Sequence, residues 1–290
     1  MSVLCLIANP QEPIENLALP AEIAREVKGE LNWLAHGIAC EITAPKAPDA
    51  AIVARAMLNE APVDVATLPA SGRRKKLLIA DMDSTMIEQE CIDELADAIG
   101  IKPEIAAITE RAMRGELDFE AALKTRVNLL KGLHREVVEA VRREKITLTP
   151  GGRALVQTMK AYGAHTALVS GGFTLFADYF RKRIGFDEAT ANTLEFDGDL
   201  LTGTVAMPIV DKAIKLRRLE ELTKEKNLWP DETLAVGDGA NDLDMIRAAG
   251  LGVAFHAKPA VAAAAAVRID HGDLTALLYL QGYSEDEIVR

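Results

Sequence analysis

The stretch Lys75-Lys76-Leu77-Leu78-Ile79-Ala80-Asp81-Met82-Asp83-Ser84-Thr85 decides the fold of this chain. Its apolar run, residues 77–80, is too short for a helix and predicts a buried strand that ends abruptly at two carboxylates. Side chains alternate along an extended chain, so Asp81 and Asp83 can face one side while Met82 faces the other. Ligands bind at the carboxyl ends of strands in open parallel sheets. A strand that ends in a purely structural Asx turn would show the same pattern. The rest of the chain is needed to distinguish such a turn from a ligand site.

Length, charge and cysteine usage restrict the class of protein. The chain has 290 residues, 49% of them hydrophobic, which is enough for a large core and two compact units. A net charge of −11 argues against nucleic-acid binding, which needs a basic face. The three cysteines are widely spaced, which predicts reduced thiols in a cytoplasmic protein. The sequence predicts neither a membrane span nor a signal peptide, so we expect no membrane partner.

The first 72 residues predict a small α+β domain, followed by a second unit over residues 73–290. Its expected elements are strands at 2–8, 37–42 and 63–68, and helices at 20–33 and 49–59. Residues 69–74 have the composition of a linker. No catalytic residue types cluster in this domain, which favours a packing, dimerising or small-ligand module.

The segment from about 90 to 148 is charged, rich in Ala and Leu, and free of strand patterns. It predicts four short amphipathic helices at 92–99, 102–113, 119–130 and 135–145. Four helices exceed the crossover of one βαβ unit. We therefore expect a helical cap, inserted after the first core strand and lying over its carboxyl end.

From residue 149 onward, helical and strand patterns alternate. The expected helices are 149–163, 173–184, 211–226 and one ending at 250; the expected strands are 164–169, 233–237, 251–255 and 267–269, with a hairpin at 193–205. This alternation predicts an α/β fold with a doubly wound parallel sheet.

Polar groups follow three of the predicted strands. They are Asp81 and Asp83, then Ser170 with Gly171 and Gly172, then Asp238 with Asn241 and Asp242; Lys215 lies on the intervening helix. Converging carboxylates need a cation, and hard oxygen ligands without sulfur or imidazole favour Mg²⁺. A hydroxyl and backbone donors at a helix start suit a phosphoryl group, whose charge a lysine could neutralise.

The five histidines are scattered, and none accompanies a nucleophilic serine or cysteine motif. Asp81 is therefore the expected nucleophile, giving an aspartyl-phosphate that water later cleaves. Asp83 could donate a proton to the leaving alcohol and then activate the water. Closure of the cap would keep bulk water from the first step.

These motifs, in this order, resemble the four motifs of the haloacid dehalogenase (HAD) superfamily over about residues 75–290. They are Asp81-Met82-Asp83-Ser84-Thr85, Val169-Ser170-Gly171-Gly172, Lys215 and Val236-Gly237-Asp238-Gly239-Ala240-Asn241-Asp242. The residues at the individual motif positions are similar to those of superfamily members that hydrolyse O-phospho-L-serine. The resemblance implies a HAD-like sheet with a helical cap and Mg²⁺ as cofactor.

The resemblance also implies residue roles. Asp81 would be nucleophile and metal ligand, Asp83 acid/base and ligand through its carbonyl, and Asp238 the third ligand. Phosphoryl contacts would come from Ser170, Gly171 and Lys215. Asn241 would contact the phosphoryl group or the water of the metal, and Asp242 would support Lys215 or the metal shell.

Substrate selection would fall to residues at the cap. An α-ammonium needs an anion and an α-carboxylate suits a guanidinium, which fits Glu90 and Arg126. Met113 and Phe119 match apolar residues that close over the substrate. Each could instead be an ordinary cap residue, with Glu88 the rival to Glu90. Lys215 also lies in a basic cluster that could be a solvated helix face.

The β-α-β pattern of residues 1–72 resembles ACT-type regulatory modules, although only three strands are evident where that module has four. A homodimer through this domain is the expected assembly. Three other functions remain open: a phospho-receiver domain, which shares part of the motif set, a HAD phosphatase of broader specificity, and a phosphotransferase, which would share every motif. The receiver would lack both the helical insert and a need for Asp83.

Overall fold

The computed structural model of the chain describes residues 2–44, 47–113 and 116–290, without the side chains of 47, 48 and 113. Its N-terminal part is an antiparallel sheet in the order β2-β3-β1-β4. The elements are β1 (Ser2–Ala8), α1 (Leu19–Glu26), β2 (Glu30–Ala35), β3 (Ala39–Ala44), α2 (Ala47–Leu58) and β4 (Val63–Pro69).

Strand β2 corrects the prediction of one helix over 20–33. The helix ends at Glu26, and Lys28 then adopts a left-handed φ of +53°. Gly29 passes so close to β3 that a β-carbon there would lie 2.6 Å from Cγ2 of Ile42. The next residues pair along β3, which satisfies their backbone groups. The N-terminal sheet therefore has the fourth strand that the sequence pattern concealed.

The second sheet is parallel throughout, in the order β12-β11-β10-β5-β6-β7. Its strands are β5 (Leu77–Ala80), β6 (His165–Phe173), β7 (Glu188–Asn192), β10 (Thr233–Gly237), β11 (Leu251–Phe255) and β12 (Val267–Ile269). The chain moves from β5 to one side and returns to the other at β10. The strand order thus reverses between β5 and β10, where a ligand crevice is expected.

Helices cover both faces of the parallel sheet. They are α7 (Gly152–Ala161), α8 (Thr174–Ile184), α9 (Lys212–Glu225), α10 (Leu243–Ala248), α11 (Pro259–Ala264) and α12 (Ala276–Leu280). The sequence patterns did not predict β7, α11 or α12. Strand β7, with the sequence EATAN, is a short edge strand without an apolar run, so it carries no strand pattern.

The helical insert lies after β5 as predicted. Its helices are α3 (Cys91–Ala98), α4 (Lys102–Met113), α5 (Phe119–Leu129) and α6 (Arg135–Glu144). The hairpin of β8 (Leu194–Asp197) and β9 (Leu200–Val205) joins this insert, because the backbone N–H of Gly132 donates to Leu201 O at 2.8 Å. The predicted fold class is confirmed: a doubly wound parallel sheet with a helical cap and a small N-terminal α+β unit.

The two sheets share one apolar core. One face of the N-terminal sheet packs on α1 and α2, whereas Cys5 and Ile7 on the other face belong to the same apolar cluster as Leu277 and Tyr283. The segment 69–74, expected to be a linker, is held to both units. Arg73 pairs with Glu41 at 2.6 Å, and Arg74 pairs with Glu287 at 2.7 Å.

Two further expectations concern single residue types and membranes. Cys5, Cys40 and Cys91 are all buried and free of disulfides. Within the described residues, no helix combines the length and apolar character needed to cross a membrane.

Candidate active site

A buried lysine between two carboxylates forms the centre of the site. Asp81 follows β5, Asp242 lies in the turn after β10, and Lys215 is in the first turn of α9. Nζ of Lys215 lies 2.6 Å from Oδ1 of Asp81 and 2.6 Å from Oδ1 of Asp242. Burial alone would lower the pKa of Lys215, but the two carboxylates outweigh it and raise that pKa above its usual value. The lysine is therefore a fixed positive charge.

The same carboxylates could hold a metal ion. Oxygens of Asp81, Asp238 and Asp242 lie within 4.8 Å of one another. Burial is the main cause that raises the pKa of Asp81 well above its usual value and that of Asp238 to about 6, and the negative charge of Asp242 also raises both. Oδ1 of Asp83 is buried, and no group of the described residues forms a hydrogen bond with it. This donor set of hard oxygens fits a divalent cation.

Asp242 has a second engagement besides the lysine. Its Oδ2 accepts a hydrogen bond from the backbone N–H of Gly239 at 3.0 Å. Asp242 therefore contacts Lys215 through one carboxylate oxygen and the turn after β10 through the other.

Asp83 lies in a tight turn, 82–86, that aims it toward the cap. Ser84 has a left-handed φ of +55°, and its hydroxyl donates to Oε1 of Glu90 at 2.9 Å. Burial, followed by the negative charge of Glu90, raises the pKa of Asp83 to about 7. Glu88 is exposed instead, and its carboxylate accepts from the hydroxyl of Thr147. Between the two rivals, the structure brings Glu90 to the site.

Ser170, Gly171 and Gly172 lie near the carboxyl end of β6. The backbone N–H of Gly172 donates to Oγ of Ser170 at 2.8 Å. The carbonyl of Gly171 accepts from Nδ2 of Asn192 at 2.8 Å, and Oδ1 of Asn192 accepts from Val210 N–H at 2.8 Å. Asn192 thus orients the end of β6 at Gly171. The sequence did not point to Asn192, because β7 itself carried no strand pattern.

Gly172 leaves no room for a side chain. A β-carbon there would lie 2.8 Å from Oδ2 of Asp83, 3.1 Å from Cε of Met82 and 3.1 Å from Oγ of Ser170. We expect Gly172→Ala to lower kcat for the expected phosphoryl hydrolysis by about 10²-fold, because the added methyl group would displace Asp83 and a displacement of about 1 Å costs that much. Steady-state kinetics beside a thermal melt would measure this. A folded Gly172→Ala protein with native turnover would contradict the tight packing around Asp83.

Two predicted cap residues lie two turns apart on α5. A β-carbon on Gly171 would lie 3.3 Å from Cζ of Phe119, so this ring packs over Gly171. Arg126 is half-buried, and Nη1 donates to the hydroxyl of Thr109 at a long 3.4 Å. Burial lowers the pKa of Arg126, and the charges of Glu90 and Asp93 oppose that change. The side chain of Met113 lies outside the described residues.

Two residues of the turns near Asp238 complete the site. Asn241 packs closely on Gly239, because a β-carbon on that glycine would lie 2.4 Å from Oδ1 of Asn241. Its contact with a phosphoryl group stays a prediction. Lys258, which the sequence analysis did not single out, places Nζ 3.7 Å from Oδ2 of Asp238. Its backbone N–H donates to Asp238 O at 3.1 Å. It carries no motif of its own, so only the fold could find it.

Comparison with known proteins assigns the class. Residues 78–247 match the family described as haloacid dehalogenase-like hydrolase. The chain belongs to this family, which confirms the resemblance seen in the motifs.

Several relatives are named phosphoserine phosphatase, and one solved structure, from Salmonella enterica, is described only as a HAD family hydrolase, with a TM-score of 0.84 and 32% identity over 97% of this chain and 98% of that one. A phosphoserine phosphatase of Streptomyces coelicolor is 46% identical over 78% of this chain, which spans only 55% of that relative's length. A probable phosphoserine phosphatase from Vibrio cholerae, solved unliganded, has a TM-score of 0.79 and 32% identity over 99% of this chain and 88% of that one. A phosphoserine phosphatase solved as a phospho-aspartyl intermediate analogue has a TM-score of 0.66 and 39% identity over 71% of this chain and 98% of its own.

Proposed function

We propose that this chain is a magnesium-dependent phosphoserine phosphatase that hydrolyses O-phospho-L-serine to L-serine and phosphate, the last step of serine biosynthesis, in the cytoplasm. The observation that carries the proposal is the buried Asp81–Lys215–Asp242 cluster, which lies beside Asp238 where the strand order reverses. The names of the relatives support the substrate.

The proposed reaction has two steps at phosphorus. A carboxylate oxygen of Asp81 attacks, the bond from phosphorus to the serine oxygen breaks, and Asp83 gives its proton to that oxygen. Asp83 then takes a proton from water, whose oxygen attacks phosphorus and releases Asp81 and inorganic phosphate. A pKa of Asp83 raised to about 7 suits a group that must both donate and accept a proton near neutrality.

Fixed charges around the phosphoryl group would stabilise both steps. Lys215, held by its two carboxylates, would contact the phosphoryl oxygens together with the hydroxyl of Ser170, the Gly171 backbone and Asn241. A magnesium ion would be held by the carboxylates of Asp81 and Asp238 and the carbonyl of Asp83, and would neutralise phosphoryl charge when bound.

Recognition of the amino acid would use the underside of the cap. Glu90 is placed beside Asp83 and suits the α-ammonium, while the half-buried guanidinium of Arg126 suits the α-carboxylate. Phe119, already packed over Gly171, and Met113 would close the site and exclude water.

Phosphate release by the purified full chain tests the proposal. We expect release from L-phosphoserine with Mg²⁺, a fall to background with EDTA, and recovery when Mg²⁺ is restored in excess. Serine and phosphate should form in equal amounts, whatever other alcohol is present. Equal rates with simple phosphomonoesters would indicate a phosphatase of broader specificity. A dependence of product on an acceptor alcohol would indicate a phosphotransferase.

We further propose that residues 1–72 form an ACT-like domain through which the chain forms a homodimer. Strand β2 is the edge of the N-terminal sheet in the described residues, with β3 as its neighbour. Such an edge can pair with the same strand of a second copy. Light scattering coupled to size-exclusion chromatography would measure the mass in solution, and a monomer would contradict the proposal.

A further inference from the structure

A buried carboxylate of the N-terminal sheet holds a loop of the catalytic unit. Asp64, in β4, is only 5% exposed. Its two oxygens accept hydrogen bonds from three consecutive backbone N–H groups, those of Asp270 at 2.8 Å, His271 at 3.2 Å and Gly272 at 2.8 Å. Successive N–H groups that converge on one anion form a tightly held nest. The loop 270–272 is therefore fixed by a residue that lies outside the catalytic unit.

A second side chain of the N-terminal sheet region holds the same loop. Nδ2 of Asn9, just after β1, donates to the carbonyl of His271 at 3.0 Å. The loop is thus held through its N–H groups and through a carbonyl. Two side chains of the N-terminal sheet region, Asp64 and Asn9, fix its position independently.

The held loop in turn fixes the turn 256–258. Nε2 of His256 lies 2.8 Å from the carbonyl of Gly272, and because a carbonyl can only accept, this nitrogen donates. The backbone N–H of His256 donates to Ile269 O at 2.8 Å. His256 has a left-handed φ of +42°, a conformation that non-glycine residues adopt only when neighbours impose it. The two hydrogen bonds of His256, to Gly272 and Ile269, hold it in this conformation.

The last residue of this turn, Lys258, contacts Asp238, the proposed metal ligand. Lys258, two residues after His256, donates its backbone N–H to the carbonyl of Asp238 at 3.1 Å. Nζ of the same lysine lies 3.7 Å from Oδ2 of Asp238. A continuous series of hydrogen bonds and two peptide units therefore joins Asp64 to the backbone of Asp238.

We propose that Asp64 is a positioning residue for the metal site: through loop 270–272 and His256 it sets the place of Asp238, so the N-terminal sheet tunes metal affinity. The inference rests on the proposed function, in which Asp238 is a metal ligand. Residues one bond removed from a ligand typically change metal affinity by about 10- to 100-fold. Asp64 acts through more bonds, so we expect a smaller change of at least about threefold.

Direct Mn²⁺ binding by the full chain tests this inference. Electron paramagnetic resonance of free Mn²⁺ gives the dissociation constant for the native protein, Asp64→Ala, Asp64→Asn and His256→Ala. Asp64→Ala should weaken binding at least about threefold, and Asp64→Asn, which keeps one acceptor oxygen, should weaken it less. The Asp64→Ala/His256→Ala pair should be less than additive, because both variants cut the same series. At saturating Mg²⁺, turnover of phosphoserine should approach the native rate.

Glu41→Gln is the matched control, since Glu41 also links the two units, by its ion pair with Arg73, but has no bond to loop 270–272. It should leave the Mn²⁺ dissociation constant unchanged even where it lowers the melting temperature. Hydrogen exchange of peptides covering 256–258 should quicken in Asp64→Ala and not in Glu41→Gln. Unchanged Mn²⁺ binding in Asp64→Ala, or an equal loss in Glu41→Gln, would overturn the inference. A native protein that binds no Mn²⁺ and releases no phosphate would instead overturn the proposed function.

Discussion

Asp81→Asn is expected to lower phosphate release from L-phosphoserine by about 10⁴-fold or more, the scale seen when a covalent nucleophile is removed. An amide of the same size cannot form the acyl phosphate. With substrate labelled in its phosphoryl group, acid quenching should trap label on the native protein and none on the variant. We expect the variant to fold, because Lys215 keeps Asp242 as a partner at 2.6 Å and is not left as an unpaired buried charge.

The control for this experiment is an Asp→Asn change nearby but outside the site. Asp244, in α10, has a 41% exposed side chain and lies 4.0 Å from Lys212. Asp244→Asn should keep native activity and incorporate label normally. Label retained by a folded Asp81→Asn protein would place the nucleophile elsewhere and remove the basis of the proposed reaction.

Arg126→Ala should separate recognition of the amino acid from chemistry at phosphorus. Loss of one partner of a buried charge pair costs about 2–5 kcal/mol, so kcat/KM for phosphoserine should fall by about 30- to 5000-fold. A phosphomonoester that keeps the amine but lacks the carboxylate should react within about threefold of the native rate. Parallel kinetics with the two substrates measure the difference. Arg126→Lys should recover little, because an ammonium cannot bind a carboxylate through a planar fork.

Lys124→Ala provides the comparison on the same helix. The side chain of Lys124 is 52% exposed and pairs only with Glu120, one turn earlier, among the ion pairs of the described residues. It should leave both substrates unaffected. If Arg126→Ala slowed both substrates equally, Arg126 would belong to the packing of the cap, and the carboxylate would need another partner.

The sequence predicted those parts of the fold and site that have strong local signals. Apolar runs that end in acids identified β5 and β10, and their place in a parallel sheet brought Asp81 and Asp238 together. Glycine punctuation and amphipathic periodicity gave the cap helices to within one or two residues. The basic cluster around Lys215 could equally have been a solvated helix face; the spacing from Asp238 selected Lys215, and the structure shows it between Asp81 and Asp242.

What the sequence could not predict depends on contacts between distant segments. Strand β2 followed a helical pattern without a break, and β7 had no apolar run, so only pairing with their neighbours made them strands. Asn192, Lys258 and Asp64 are single polar residues without a motif. Each acquires its partner from a segment far away in the chain, at Gly171, Asp238 and residues 270–272 respectively.

The shared apolar core has a consequence for the order in which the chain can fold during synthesis. The face of the N-terminal sheet that carries Cys5 and Ile7 is covered by residues of the α12 region, such as Leu277 and Tyr283, and α12 begins 207 residues after β4 completes that sheet. At about 5–20 residues per second, that delay is about 10–40 s. For this time the nascent sheet has helices on one face and a bare apolar surface on the other.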